Sequence, residues 1–462
     1  MTVTRRDLLK ASAATAAFHI VPRHVLGGPG YTPPSEMVTV GLVGAGGRGF
    51  RNVKELLKLD NVRIDAVCDP AEHWDLKDFY YKGVAGRLPV TSAIEKHYSN
   101  AKYQHKCNQF EDFRKLLDSP SAPDAILCAT PDHMHATISL AAMRAGKHVY
   151  CEKPLTHNVA EARLVSKVAK ESGVATQMGN QGHSSDGIRE TVEWIQSGVI
   201  GEVKEVHAWV PATRWNPTLA GRPEESMPTP KGLNWDLWLG PREPVPFHSA
   251  YAPVSWRDFW DYGLGAMGDF GCHDLDSAVW ALGLPAPSKV EMFPAGKMND
   301  EIIPFGEIGY FHFDGGEGRP AVNVTWYSGG PRPPKPDSMP ADKQLPSRGV
   351  LFVGEKGEIL CGGSGGKPQI VDPKLAADST PPKPTIRRSN GHHRDWIDAI
   401  KGGPKASSNF EIGAHLTEIT LLGVAALRLR KEIQYDAAAM KITNTDGDRI
   451  INGDYRKGWE LT

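Results

Sequence analysis

The sequence predicts an α/β protein of two domains, the first built on a doubly wound parallel sheet. Three observations carry that expectation. At 462 residues the chain exceeds what one hydrophobic core usually organises. Across residues 37–181, short β-branched runs alternate with helical patterns, as in strands joined by crossover helices. The first run, residues 38–43, enters Gly44-x-Gly46-x-x-Gly49 directly, and a helical pattern over residues 50–59 follows.

Composition fits a globular chain, with 40% hydrophobic and 23% charged residues. The net charge of −1 leaves no footprint for nucleic acid. No stretch of 18 apolar residues stands out as a membrane span. Cys68, Cys107, Cys128, Cys151, Cys272 and Cys361 form no C-x-x-C pair and no spacing framework. They are expected to be small buried thiols rather than disulfides.

The glycine turn has a definite chemistry. Gly44 permits a tight turn, Gly46 lets the backbone approach a pyrophosphate, and Gly49 lets helix and strand pack closely. Gly47 and Arg48 open the helix, whose N–H groups and dipole favour phosphate. Residues 62–68 read as the next strand, and Asp69 stands at its end, 25 residues after Gly44. A carboxylate there accepts hydrogen bonds from ribose hydroxyls and repels a 2′-phosphate, so NAD is expected rather than NADP.

A weaker third strand is expected at residues 101–104. Residues 124–129 form a fourth, ending in Thr130-Pro131-Asp132-His133-Met134-His135, and the helix 136–145 stops at Gly146. Residues 148–151 make a fifth strand, ending in Glu152-Lys153-Pro154. Thr156 is placed to cap the helix 159–171, and residues 174–178 return as a sixth strand before Asn180 and Gln181. In open parallel sheets, site groups gather at the carboxyl ends of strands. That rule sets the glycine turn, Thr130, Pro131, His135, Glu152, Lys153, Asn180 and Gln181 around one crevice.

The second domain opens with an amphipathic helix (187–197) and a strand (203–210). Seven of the twelve tryptophans fall between residues 209 and 280. Flat rings stack on sugars, but they also fill cores and interfaces. Arg214, Trp215, Trp256 and Trp260 are the candidates for a carbohydrate cleft, with His183 after the sixth strand. Residues 329–346 are too proline-rich to be regular, and the glycine-rich run 362–368 reads as a turn. If the chain is helical from Asp269, then Asp269, His273, Asp276 and Trp280 share one face, which would line a wet site. His392 precedes a helix (395–400) and is either a binding residue or a cap.

The ordered set G-x-G-x-x-G at 44–49, T-P-x-x-x-H at 130–135 and E-K-P at 152–154 resembles the glucose–fructose oxidoreductase/inositol dehydrogenase (Gfo/Idh/MocA) family. The likeness covers residues 37–180, with similar segments near 265–276 and 392–422. It implies a Rossmann domain (36–181) and a C-terminal α/β domain (182–462) with an open, largely antiparallel sheet. One face of that sheet covers the nicotinamide and the other often joins subunits, so a homodimer or homotetramer is expected. The resemblance also implies Lys153, Asp269 and His273 as the catalytic set, with His135 near the nicotinamide and no metal. Oxidising a carbinol needs hydride transfer and removal of the hydroxyl proton. His273 suits the base, Lys153 can hold the reacting oxygen, and Asp269 can bind a hydroxyl or tune His273. The expected substrate is a sugar, polyol or glycoside. The expected outcome is net oxidation, or glycoside cleavage through transient oxidation at C3.

Residues 1–35 read as an export signal and linker. Thr4-Arg5-Arg6-Asp7-Leu8-Leu9-Lys10 matches a twin-arginine signal, and a mild apolar run (11–21) follows. A periplasmic enzyme without a stable membrane anchor is expected. Free NAD is scarce there, which favours a nucleotide that stays bound.

Overall fold

The computed structural model describes residues 33, 36–99, 105–316 and 318–461. The twin-arginine segment and the strand expected at 101–104 lie outside the described residues.

Among those residues, six parallel strands form the first sheet, in the order Asn108–Phe110, Val62–Cys68, Val38–Val43, Ala125–Cys128, His148–Cys151, Thr176–Met178. Its central strands are buried on both faces, which is why they read as continuous apolar runs. The order reverses beside Val38–Val43, which pairs with both Val62–Cys68 and Ala125–Cys128. That switch point opens a crevice at the strand carboxyl ends. The helix expected at 159–171 is Val159–Ser172, but Thr156 does not cap it. Asn158 does, in a reciprocal capping box with Glu161, while the Thr156 hydroxyl donates to the Asn158 carbonyl.

The second sheet has nine strands among the described residues. Val203–Trp209 at its middle pairs parallel with Val322–Tyr327 and antiparallel with Gly349–Gly354; every other pairing is antiparallel. Between the two sheets runs the helix Phe410–Leu429, which packs on Val159–Ser172 and on Gly265–Asp274. This helix is long and apolar enough to cross a bilayer, contrary to the sequence expectation, but 83% of its apolar window is buried inside the fold. It is a core helix. Its neighbours from both sheets merge into one continuous apolar cluster, so the domains share a core.

The helix bearing Asp269 is shorter than expected. Gly265–Asp274 ends before Leu275, and a second helix, Asp276–Leu282, begins. Leu275 between them keeps helical dihedrals, and of the four expected face residues Asp269 and His273 line the cavity while Asp276 and Trp280 do not. The run 362–368 is a turn between strands, as expected. All six cysteines are buried free thiols.

Candidate active site

A single cavity of about 710 Å³ runs from the glycine turn to the helix Gly265–Asp274. At one end the backbone sets its shape. Gly44 has φ +93°, and a Cβ there would lie 2.6 Å from the Ala129 carbonyl carbon. A Cβ on Gly49 would collide with the Gly44 carbonyl oxygen, whereas one on Gly46 would meet nothing within 4 Å. The helix Gly47–Leu56 has no side-chain cap and no acidic residue in its first turn. Its N–H groups are therefore open to an anion, which fits a dinucleotide pyrophosphate.

Asp69 lines this end, but its carboxylate is already engaged. It accepts from Ala45 N at 2.6 Å, Ala71 N at 2.8 Å and Trp74 Nε1 at 3.3 Å. Burial raises its pKa to about 6 despite these donors. Asp69 thus braces the glycine turn as well as presenting an acid to the cavity.

The short hairpin formed by Trp74–Asp75 and Val84–Ala85 crosses over the turn. The Tyr81 ring sits where a Gly47 Cβ would be, and Leu76, Tyr80 and Tyr81 line the cavity. Trp74, Leu76 and Ala85 share an apolar cluster with Trp238, Tyr251, Trp256 and Phe259 from the second domain. Trp459 also lines the cavity, 6.4 Å from the Phe113 ring, with Arg114 4.6 Å over its face. Sequence reasoning passed over both covering segments, because aromatic residues there carry no motif.

Glu152 sits behind the turn at 4% exposure and accepts from Arg48 Nε and Asn52 Nδ2, each at 2.8 Å, and from Gln181 Nε2 at 3.2 Å. Burial opposes its charge, but Arg48 and these donors hold its pKa at about 2. His135 does not line the cavity. Its Nδ1 lies 2.7 Å from the Pro154 carbonyl and its Nε2 3.0 Å from the Thr130 carbonyl, so it ties the T-P and E-K-P turns together. Cys128 and Cys151 lie beside it, with ligand atoms of the three within 4.8 Å of one another. Both ring nitrogens, however, already face carbonyls.

At the other end, Lys153 Nζ donates to the Asp269 carbonyl at 2.8 Å and to its carboxylate. Burial alone would raise the Asp269 pKa, but Lys153 and Arg257, whose Nε is 3.8 Å away, hold it far below the usual range. His273 lines the cavity one turn on, and its Nδ1 has no hydrogen-bond partner. Burial, then Lys153 and Arg348, push its pKa down to about 3, so the imidazole is neutral at pH 7. The three expected catalytic residues converge.

Several expected cofactor and substrate residues do not reach the cavity. His183 is buried, its Nδ1 2.9 Å from Asp276 Oδ1 and its ring stacked 4.5 Å from Trp280. Asn180 donates to Asp276 Oδ2 at 3.1 Å and accepts from Ser408 Oγ at 2.5 Å. His392 donates through Nε2 to the Met178 carbonyl, leaving Nδ1 to accept from Ser184 Oγ at 2.7 Å. Asn180, His183, Asp276 and His392 therefore form a buried brace behind the site. Arg214 lines the cavity, but its guanidinium donates to the carbonyls of Asn216, Pro217, Lys297 and Ile303, which uses it as a loop staple. Trp260 is 2% exposed, belongs to the shared core and bonds the Asn299 carbonyl. Trp256 and Trp215 do line the cavity, Trp256 beneath Arg257 and Trp215 at 39% exposure, stacked on Tyr80.

Sequence reasoning also missed Asp132 and Arg257. Both line the cavity near Lys153 and Asp269. Asp132 is 5% exposed, and burial raises its pKa to about 8. The signal was present, since Asp132 follows Thr130-Pro131 at a strand carboxyl end.

Residues 38–180 match the oxidoreductase-family NAD-binding Rossmann model of GFO_IDH_MocA, and residues 186–318 match the family's C-terminal α/β domain. The chain belongs to the Gfo/Idh/MocA oxidoreductase family. As a member, it binds NAD. The levoglucosan dehydrogenase of Pseudarthrobacter phenanthrenivorans is 25% identical over 38% of this chain and 37% of that protein. A glycosyl hydrolase family 109 protein of Shewanella pealeana is 25% identical over 46% of this chain and 48% of its own length. The chain thus spans less than half the length of these curated relatives. The structure of the WlbA dehydrogenase from Bordetella pertussis, in complex with NADH and UDP-GlcNAcA, aligns with a TM-score of 0.56 at 16% identity, covering 87% of this chain and 99% of that one. That likeness shows a common fold.

Proposed function

We propose that this protein is an exported sugar or glycoside oxidoreductase whose NAD stays bound through the catalytic cycle. The observation that carries the reading is the convergence of Lys153, Asp269 and His273 on the cavity that begins at the glycine turn. The helix N-terminus Gly47–Arg48 would hold the pyrophosphate, with Glu152 and Gln181 on the nicotinamide side. Bound there, NAD supplies the two-electron acceptor. His273, neutral and lining the cavity, takes the proton of the reacting hydroxyl. Lys153, aimed by Asp269, stabilises the charge that develops on that oxygen. Trp215, 39% exposed on the cavity lining, offers an aromatic surface to a pyranose ring.

Retention of the nucleotide is supported by two segments that line the cavity, the hairpin over Gly47 and the segment bearing Trp459. The similarity to a levoglucosan dehydrogenase supports a carbohydrate substrate, and that to a family 109 glycosyl hydrolase supports cleavage as a second reading. The twin-arginine pattern of Arg5-Arg6 supports export. Phe293 and Tyr310, each 49% exposed and 6.1 Å apart on the outer sheet face, support a homodimer or homotetramer.

The test begins with denaturing the purified protein and identifying what it releases. Near-stoichiometric NAD or NADH is expected, and adding sugars to the intact protein should change the bound-nicotinamide absorbance without added cofactor. Protein that releases nothing, and shows no such change with NAD supplied, would sink the reading.

A further inference from the structure

The glycine-rich turn between strands Gly357–Gly362 and Pro368–Ile370 holds one residue against its local preference. Ser364 has φ +55°, the left-handed region that glycine occupies without strain, although glycines stand on both sides of it. The backbone is wedged at this point. A Cβ on Gly182 would lie 2.3 Å from the Ser364 carbonyl oxygen, and one on Gly363 would lie 2.5 Å from Arg348 Nε. A non-glycine residue kept in strained backbone at a cavity wall points to a role for its side chain. Ser364 lines the cavity, as do Arg348, Phe270 and His273.

The hydrogen bonds around this turn engage some donors and leave two free. Asp274, fully buried, accepts from Arg348 Nε at 3.1 Å, from Arg348 Nη2 at 2.7 Å and from Ser364 N at 3.1 Å. Arg348 Nη2 also donates to Ser364 Oγ at 2.7 Å. A guanidinium only donates, so the serine oxygen is the acceptor in that bond and its own proton is free. Arg348 Nη1 makes no hydrogen bond among the described residues. The guanidinium is planar, so Nη1 stands beside Nη2 and next to the Ser364 hydroxyl. Phe270 steadies that plane, its ring 4.9 Å from Arg348 Cζ. The ion pair cancels the charge of Arg348, and both Asp274 oxygens are occupied. The corner therefore presents donors to the cavity and no free carboxylate.

We propose that Arg348 and Ser364 select the substrate by binding an oxygen that only accepts: the carboxylate of a uronic acid or the amide carbonyl of an acylamino sugar. The inference rests on the reading of the cavity as a sugar-oxidising site. A plain hydroxyl accepts from the same pair, but its own proton then faces donors and finds no acceptor there. The parent hexose is bound less well for that reason.

The experiment follows reduction of the bound nucleotide in the purified holoenzyme. The sugars are glucose, galactose, their uronic acids and their N-acetylhexosamines. At least one acid or acylamino sugar should show kcat/KM about tenfold or more above its parent hexose. Added salt separates the two sources, because it weakens recognition of a carboxylate and leaves that of an amide in place. Ser364→Gly is the deciding variant, since glycine suits φ +55°. Its unfolding midpoint should hold or rise, while the preference over the parent hexose falls about tenfold, chiefly in KM. Arg348→Lys is the second variant. It keeps a cation beside Asp274, loses the free Nη1 and should lose the same preference. Parent hexoses that react as well as their acid and acylamino relatives overturn the inference, as does a Ser364→Gly protein that keeps the preference. Both results leave the oxidoreductase reading intact. If no sugar changes the bound nucleotide, that reading fails and binding decides the corner. An acid or acylamino sugar should then raise the unfolding midpoint of the wild type and not that of Ser364→Gly, and equal shifts or none overturn the inference.

Discussion

The two ends of the cavity are built from different materials. The nucleotide end is backbone: a glycine turn, an uncapped helix N-terminus and strand ends whose positions follow from sheet order. The substrate end is side chain, drawn from the helix Gly265–Asp274, the turn Ser255–Asp258 and the loop around Trp215. Backbone sites are fixed by local sequence, because a glycine or a strand terminus does the same work wherever the fold repeats. Side-chain sites depend on which way each residue is turned, and packing settles that.

The comparison can be broken at either end. The largest expected effect is at the chemical junction. Lys153→Met should lower turnover by about 10²–10³-fold, with nucleotide content unchanged, as measured by single-turnover absorbance and by nucleotide release. Next, Gly44→Ala should give protein that purifies with little or no nucleotide, because the added Cβ meets the Ala129 carbonyl carbon at 2.6 Å and the φ is +93°. Retained stoichiometric NAD in that variant would show that the turn does not set the site.

At the substrate end, two tryptophans should part company. Trp260→Ala should cost about 3–5 kcal/mol of stability, read as an earlier chemical-denaturation midpoint. Trp215→Ala should raise KM several-fold while that midpoint stays in place. If Trp260→Ala instead changed KM alone, its placement in the core would be wrong.

The smallest effect is in pH and stability. Asp132 has its pKa raised to about 8 from 3.8, so the folded state holds a proton that the unfolded chain has lost. That group lowers stability progressively as pH rises from about 4 to 8. Asp132→Asn should therefore raise Tm by roughly 2–4 °C at pH 8 and by less near pH 4. His273 and Glu152 act in the opposite sense, with pKa values lowered to about 3 and about 2. Their contributions are lost on acidification, below pH 6.5 for His273 and below pH 4.5 for Glu152.

Much of this was legible in the chain itself. The strands at 38–43, 62–68 and 148–151 lie where their apolar runs put them, and Lys153, Asp269 and His273 meet as expected. The misreadings share a cause. His183, Arg214, Trp260 and His392 are the residue types that bind sugars, but each found its partners inside the protein. Asp276 is taken up by Asn180 and His183 instead of the cavity. Thr156 lost the cap to Asn158, two residues on, which completes a box with Glu161. Asp132, in plain sight within the T-P motif, had no neighbour in sequence to mark its environment.

What the sequence determined by itself is most of the first sheet and the nucleotide turn, since each rests on spacing within a few residues. Only the tertiary structure decided which polar groups are satisfied within the protein and which are left facing the cavity. A buried donor or acceptor takes the nearest partner that folding offers it, and those partners come from segments as distant as Gln177 and His392, or Arg348 and Asp274.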